Sequence, residues 1–300
     1  MDNIKIEYYE YNRKVTNFGN GIIEVVTYHE PQLRVCGGFG NLHKLNVSNE
    51  SVISDKAQEA RTEKQRYAIK RKIRGYALTN EFEWFTTLTI NPKKQDSLNY
   101  DSSKVLLLKW CRLMRDKYGK FDYLIVPELH KSGAIHFHAL LGNLHANFKK
   151  ACHPKTGEHV TRNNRQVYNL LDWTLGFSDC EAVISPEKTA SYITKYVTKD
   201  LMTSKQMFRK KRYFNSQGLK KPSVDFELKD NSDLSNFVPN YGIVETDNNG
   251  ENYIDKGIYN LLIDSNTGTM SQADCNSLLK AKGLSLSPLK PKTTDHSDGY

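Results

Sequence analysis

Two apolar runs, residues 123–130 and 135–141, lie on either side of Lys131-Ser132-Gly133. Short β-prone segments around a glycine-ended turn demand a β-hairpin, and this is the feature that most constrains the chain. Within it His136 and His138 stand two apart. On a strand both imidazoles then emerge on one face, while Ile135, Phe137 and Ala139 take the other. Glu128 and His130 likewise share a face of the opposing run. Whether the two faces coincide depends on the turn. A two-residue loop, Ser132-Gly133, sets His136 opposite Leu129 and turns Glu128 away. A three-residue loop pairs His130 with Ala134 and brings Glu128 directly across from His136. That loop needs a left-handed residue at its last position, and Gly133 is there. The three-residue loop is therefore the expected one. It gathers a carboxylate and two imidazoles into one patch suited to Mg²⁺ or Mn²⁺ engaged in phosphate chemistry. Glu128 is the preferred third ligand, with His130 as the alternative. Taken alone, such a histidine pair is more often structural than metal-binding.

The flanking sequence reads as mixed helices and strands. Residues 83–90 (EWFTTLTI) are β-branched and aromatic and are closed by Asn91-Pro92, which predicts a strand. Residues 104–117 repeat apolar side chains at helical spacing. A strand over 180–184 leads to a helix with Ser185 at its N-cap, Pro186 in its first position and Glu187 in its first turn, running to about residue 202. Hairpins rather than regular strand–helix–strand units predict an α+β fold with an antiparallel sheet. A short β-like run at 21–28 and a glycine cluster at Gly37, Gly38 and Gly40 carry no motif. Asp247-Asn248-Asn249-Gly250 predicts one more hairpin. Residues 265–300 are rich in Ser, Thr, Lys and Pro and read as loose.

The predicted helix after Ser185 contains YITKYVTK, residues 192–199, in which the spacing Y-x-x-K occurs twice. On a continuous helix Tyr192, Lys195, Tyr196 and Lys199 fall within an arc of about 100°. A phenol with a pKa of about 10 is a poor nucleophile at neutral pH unless cations favour its phenolate. Neighbouring lysines and a bound metal supply that, and also neutralise charge building on an attacked phosphate. Two tyrosines a turn apart permit two successive transesterifications. Taken alone, such a segment is more often an ordinary amphipathic helix with a solvated lysine face.

Charge points to a polyanionic partner. Lys and Arg number 43 against 34 Asp and Glu, a net of +9. Residues 227–300 hold 6 basic and 11 acidic residues, so residues 1–226 carry the excess. A helix-forming stretch at 54–78 holds eight Lys and Arg, among them Lys64, Arg66, Lys70, Arg71, Lys72 and Arg74, which form a candidate phosphate-contacting arm. Five scattered cysteines without a C-x-x-C pair suggest a reducing, cytoplasmic setting. No apolar run is long enough to span a membrane. Cys152, His153 and His159 do not match a zinc-ligand spacing.

FTTLT (85–89), PELHKSGAIHFHALL (127–141) and YITKYVTK (192–199), in this order, resemble the HUH endonucleases, specifically the rolling-circle replication initiators of phages and plasmids related to the filamentous-phage gene II and isometric-phage gene A proteins. The resemblance spans about residues 54–222. It implies a five-stranded antiparallel sheet with packed helices. It also implies metal ligation by His136, His138 and Glu128, nucleophilic roles for Tyr192 and Tyr196, and supporting roles for Lys195 and Lys199. The implied activity is nicking and rejoining of single-stranded origin DNA through a 5′-phosphotyrosine, with Tyr192 preferred as first attacker. No phosphate-binding G-x-x-x-x-G-K-[ST] loop occurs, so unwinding and synthesis fall to a host helicase and polymerase. The corresponding domain layout is an N-terminal extension at 1–50, a basic helical segment at 51–79, a catalytic domain at 80–226, an accessory hairpin region at 227–264 and a loose tail at 265–300. Rival readings are the same chemistry in a transposase or relaxase, a noncatalytic DNA-binding regulator, and a zinc hydrolase of small substrates.

Overall fold

A computed structural model of the chain describes residues 7–36, 55–130, 132–272, 278–281 and 284–285. The glycine cluster at 37–40 and the last fifteen residues lie outside the described residues. In chain order the elements are β1 (Glu7–Gly19), β2 (Ile22–Cys36), α1 (Asp55–Thr79), β3 (Trp84–Ile90), α2 (Tyr100–Tyr118), β4 (Asp122–Leu129), β5 (Ile135–Gly142), β6 (Phe148–Lys150), β7 (Thr161–Arg162), β8 (Arg165–Gln166), β9 (Tyr168–Leu170) and β10 (Gly176–Ala182). There follow α3 (Pro186–Lys195), α4 (Lys199–Thr203), β11 (Phe214–Asn215), β12 (Ser223–Glu227), β13 (Tyr241–Thr246), β14 (Asn252–Ile263), β15 (Met270–Gln272), β16 (Leu278–Ala281) and β17 (Leu284–Ser285). The fold is α+β with antiparallel sheets; β13–β16 is a parallel exception.

The chain divides into two compact units, residues 51–221 and residues 1–50 with 222–300. The first is built on a seven-stranded sheet in the order β11-β4-β5-β3-β10-β9-β6, two strands more than the five expected. The additional pairings come from two- and three-residue edge strands whose sequences are too short to show a period. Several expected bounds also shift. β10 starts at Gly176 rather than residue 180 and pairs along its whole length with β3. α2 starts at Tyr100 because the Asn99 side chain accepts the Ser102 amide at 3.1 Å. Leu88, Ile90, Leu124, Val126, Ile135 and Phe137 are fully buried in this unit.

The second unit joins the two ends of the chain in one eight-stranded sheet. β2 runs to Cys36, well beyond the short run the sequence suggests, and pairs with β14 over Ile22–Tyr28. Its core is Ile23, Val25, Leu234, Tyr259 and Leu261. Buried Arg13 is held by Asp233 at 2.7 Å. The β13–β14 hairpin forms at Asp247–Gly250, where the Gly250 amide donates to the Asp247 carbonyl at 3.1 Å. Within the stretch read as loose, β15, β16 and β17 are strands, because backbone pairing to β14, β13 and β16 in turn outweighs a polar composition.

Gly176 opens β10 against the end of β3. A Cβ there would run into the Thr89 carbonyl oxygen and lie 2.7 Å from the Asn91 amide nitrogen, both rigid backbone atoms. Gly176→Ala is expected to lower unfolding stability by roughly 1–3 kcal/mol, as overpacking does, which urea titration of the full chain would measure. An unchanged midpoint would show that the strand ends can part freely.

Candidate active site

The hairpin register follows from the turn. Gly133 has φ 83°, the His130 amide donates to the Ala134 carbonyl at 2.9 Å, and the Gly133 amide donates to the His130 carbonyl at 2.8 Å. Glu128 is therefore the cross-strand partner of His136, as the three-residue loop requires. On the next strand Thr89 pairs with His136 and Thr87 with His138. Beyond it Asp179 pairs with Thr87 and Glu181 with Phe85. Paired residues share a face, so one side of the sheet presents Glu128, the two histidines, Thr87, Thr89, Phe85, Asp179 and Glu181 together.

Each imidazole is held through its Nδ1. The Thr87 hydroxyl lies 3.2 Å from His138 Nδ1 and the Thr89 hydroxyl 3.3 Å from His136 Nδ1. The Nε2 atoms are thereby left for other partners. His138 Nε2 is 2.7 Å from Glu128 Oε2, a diagonal contact rather than the straight cross-strand one. That bond is the main cause holding the Glu128 carboxyl below its ordinary range. His136 instead stacks on His130, with ring centroids 5.1 Å apart, and burial lowers its pKa first, then His130.

As the side chains stand, no three His, Cys, Asp or Glu groups among the described residues form a set that could hold a metal ion. The reason is visible: Glu128 is turned to His138 while His136 is turned to His130. One carboxylate and two imidazoles are nevertheless donor types that a divalent cation takes.

The tyrosine helix meets this patch. The Tyr196 ring lies on the buried His138 ring, centroids 3.3 Å apart and planes 12° apart. Tyr192 stands edge-on to Tyr196 at 5.5 Å and to Phe85 at 5.1 Å. Tyr192 is 45% exposed, whereas Tyr196 is half-buried. Burial pushes the Tyr196 phenol up, and hydrogen bonding to Tyr192 adds to this. Lys195 Nζ lies 5.2 Å from the centre of the Tyr192 ring.

The helix is not continuous to residue 202, and this corrects the expected cluster. α3 ends at Lys195 with Tyr196 as its C-cap, and Thr198 becomes extended (φ −80°, ψ 168°) to cap α4 through the Leu201 amide. Thr198 with Asp200 behind it is a helix-start signal overlooked inside an apparent repeat. Tyr192, Lys195 and Tyr196 stay together, but Lys199 leaves them and pairs with Glu59 of α1 at 2.6 Å.

The six basic residues of α1 also do not share one face. Lys64, Arg71 and Lys72 are exposed, while Arg66, Lys70 and Arg74 are half-buried. Arg66 is bound to Glu63 at 2.6 Å, and burial is the main cause lowering the Lys70 pKa. Cys152 lies 3.4 Å from His159, but the His153 ring accepts amides of its own turn, so the three do not converge.

Sequence reading missed the roles of Thr87, Thr89 and Phe85. The signal was available: these residues alternate along β3 and so share the histidine face. It also missed Arg162, which ties a short β7–β8 hairpin to Asp179 and Glu181 at 2.7 Å each.

Thr198→Ala should cost about 1 kcal/mol of stability through the lost cap, and Thr198→Asn far less. Denaturant titration of both variants checks this; equal losses would mean that the break does not rest on the capping hydroxyl.

Among the described residues no helix is long and apolar enough to cross a membrane. No curated protein and no solved structure matches the chain. Residues 83–201, the stretch from β3 to α4 that carries the histidines and both tyrosines, match the family model of replication-associated proteins of the ORF2 and gene 2 protein type. The matched stretch is 119 of the chain's 300 residues and is a likeness to replication-associated proteins.

Proposed function

We propose that this chain starts rolling-circle replication by nicking and rejoining single-stranded DNA at an origin. The observation that carries the reading is the stacking of Tyr196 on His138, with Tyr192 beside it. It brings the hydroxyl-bearing helix and the histidine-bearing sheet face into one patch. A tyrosine oxygen attacks the scissile phosphorus, the bond to the 3′ oxygen breaks, and the DNA 5′ phosphate is left on the tyrosine. The departing 3′ oxygen takes a proton and remains as the primer end for a host polymerase, with a host helicase opening the duplex.

Tyr192 is the better first attacker, since its ring is open to solvent and the Lys195 ammonium lies 5.2 Å from the ring's centre. Tyr196, more buried and with a raised pKa, suits the second exchange that rejoins the strand. His136, His138 and Glu128 are the residues that would hold Mg²⁺ or Mn²⁺. When bound, the cation draws charge from the non-bridging phosphate oxygens. Thr87 and Thr89 fix the rings so that Nε2, not Nδ1, is presented. Exposed Lys64, Arg71 and Lys72 of α1 add phosphate attraction at longer range.

Incubated with single-stranded origin DNA and Mn²⁺, the protein should form an adduct that survives denaturation, and EDTA should abolish it. Tyr192→Phe with Tyr196→Phe should remove the adduct while DNA binding persists; a remaining adduct would overturn the nucleophile assignment. Thr87→Val with Thr89→Val should raise the Mn²⁺ concentration for half-maximal activity by roughly 10–100-fold. An unchanged metal titration would show that the hydroxyls merely pack.

A further inference from the structure

We propose that the cavity beside Tyr192 seats one unpaired nucleotide next to the scissile phosphate, with Arg165 and Lys188 holding phosphates and Asn163 facing the base. The inference rests on the strand-nicking reading and adds to it the part of the protein that positions the strand.

The cavity has a volume of about 250 Å³ and lies between β3, α3 and the β7–β8 hairpin. Phe85 and Thr87 line it from the sheet, Lys188 and Tyr192 from α3, and Asn163 and Arg165 from the hairpin. A cavity this small offers room for one base at a time. Its aromatic lining gives a base a surface to stack on, and every base has such a face.

The hairpin is a built feature. Asn163 and Asn164 take φ values of 50° and 58°, the pair of left-handed residues that a tight two-residue turn needs. Arg162 at its base is held by Asp179 and Glu181, so its charge is already matched. Arg165 on the other side of the turn and Lys188 across the cavity are exposed and have no ion pair among the described residues. Two unmatched cations thus flank an aromatic-lined hole that opens at a candidate nucleophile. Cations without an ion pair are the ones able to neutralise phosphates of a bound strand. The charge balance of the unit agrees: residues 51–221 hold 32 basic and 16 acidic side chains.

Fluorescence anisotropy with a labelled random-sequence single-stranded DNA, titrated across about 50–200 mM NaCl, tests the phosphate contacts. Arg165→Ala with Lys188→Ala should reduce the slope of log affinity against log salt by about 1.4, since each single-strand contact contributes about 0.7. Both side chains are exposed and unpaired, so the fold should tolerate their loss. In adduct formation the same variant should lose more in KM than in kcat. Lys109→Ala with Arg112→Ala on α2 removes equal charge elsewhere and should leave the slope in place. An unchanged slope in the first variant, or an equal loss in the second, overturns the proposal.

Asn163→Gly keeps the positive φ but removes the amide. Sequencing the adducts that a random single-stranded library forms should show a preference lost at one position beside the cut; a preserved preference overturns the base-facing role. The anisotropy measurement needs no cleavage. Failure of the wild-type protein to form adducts therefore sinks the nicking reading and leaves the seat's phosphate contacts to be judged separately.

Discussion

The register of three adjacent strands is the constraint on which everything at the site depends. Thr89, His136 and Glu128 lie in one cross-strand row, and Thr87 and His138 begin the next. Side chains alternate along a strand, so a slip of one residue in β5 would turn both imidazoles into the core and Ile135 and Phe137 outward. Those two residues are fully buried, which makes the slip costly by several kcal/mol. The turn works in the same direction, because Gly133 supplies the left-handed conformation that the three-residue loop needs. Hydrophobic burial and turn geometry thus select the same register, and the chemistry-bearing face is a consequence of both.

The opposing element is placed by an interruption. Had α3 continued through Thr198, Tyr196 would sit on a regular helical surface with Lys199 beside it. Instead the helix ends at the ring that stacks on His138, and the chain turns so that Lys199 reaches α1. Buried Ile193 and Val197 fix the break from beneath. An aromatic contact of this kind contributes about 0.5–1.5 kcal/mol beyond its buried area. That is enough to hold one tyrosine in place while its neighbour Tyr192 stays open. The two phenols consequently differ in exposure and in environment, although their sequence contexts are nearly the same.

What the sequence disclosed was local. The hairpin, its register and the Ser185 cap could be read because each depends on residues within a dozen positions of one another. The hydroxyls of Thr87 and Thr89 belong to the FTTLT stretch, yet their partners lie about fifty residues away, and only strand pairing reveals them. The Thr198 cap was hidden by a repeat that looked helical. The sheet formed by β2 and β14 joins segments more than two hundred residues apart, and neither carries a motif that names the other. Charge was misleading in a different manner. The lysines and arginines of α1 read as a phosphate-contacting arm, but only Lys64, Arg71 and Lys72 of the six are exposed, while Arg66 is paired with Glu63 of its own helix.

The distribution of charge sharpens where a nucleic acid can go. Residues 1–50 with 222–300 hold 11 basic and 18 acidic side chains, the reverse of the balance in the other unit. Their aromatic residues are also engaged among themselves: Tyr11 meets Phe226 at 4.8 Å, Arg34 covers the Phe226 ring at 3.7 Å, and Lys256 lies over Tyr28 at 5.4 Å. The net negative charge of that unit repels phosphates. The basic unit lacks that restraint, and near the tyrosines its unmatched cations stand beside a cavity and not on a flat helix face. Long-range attraction delivers a polyanion to that unit as a whole, but only a cavity lined by unmatched cations converts delivery into alignment.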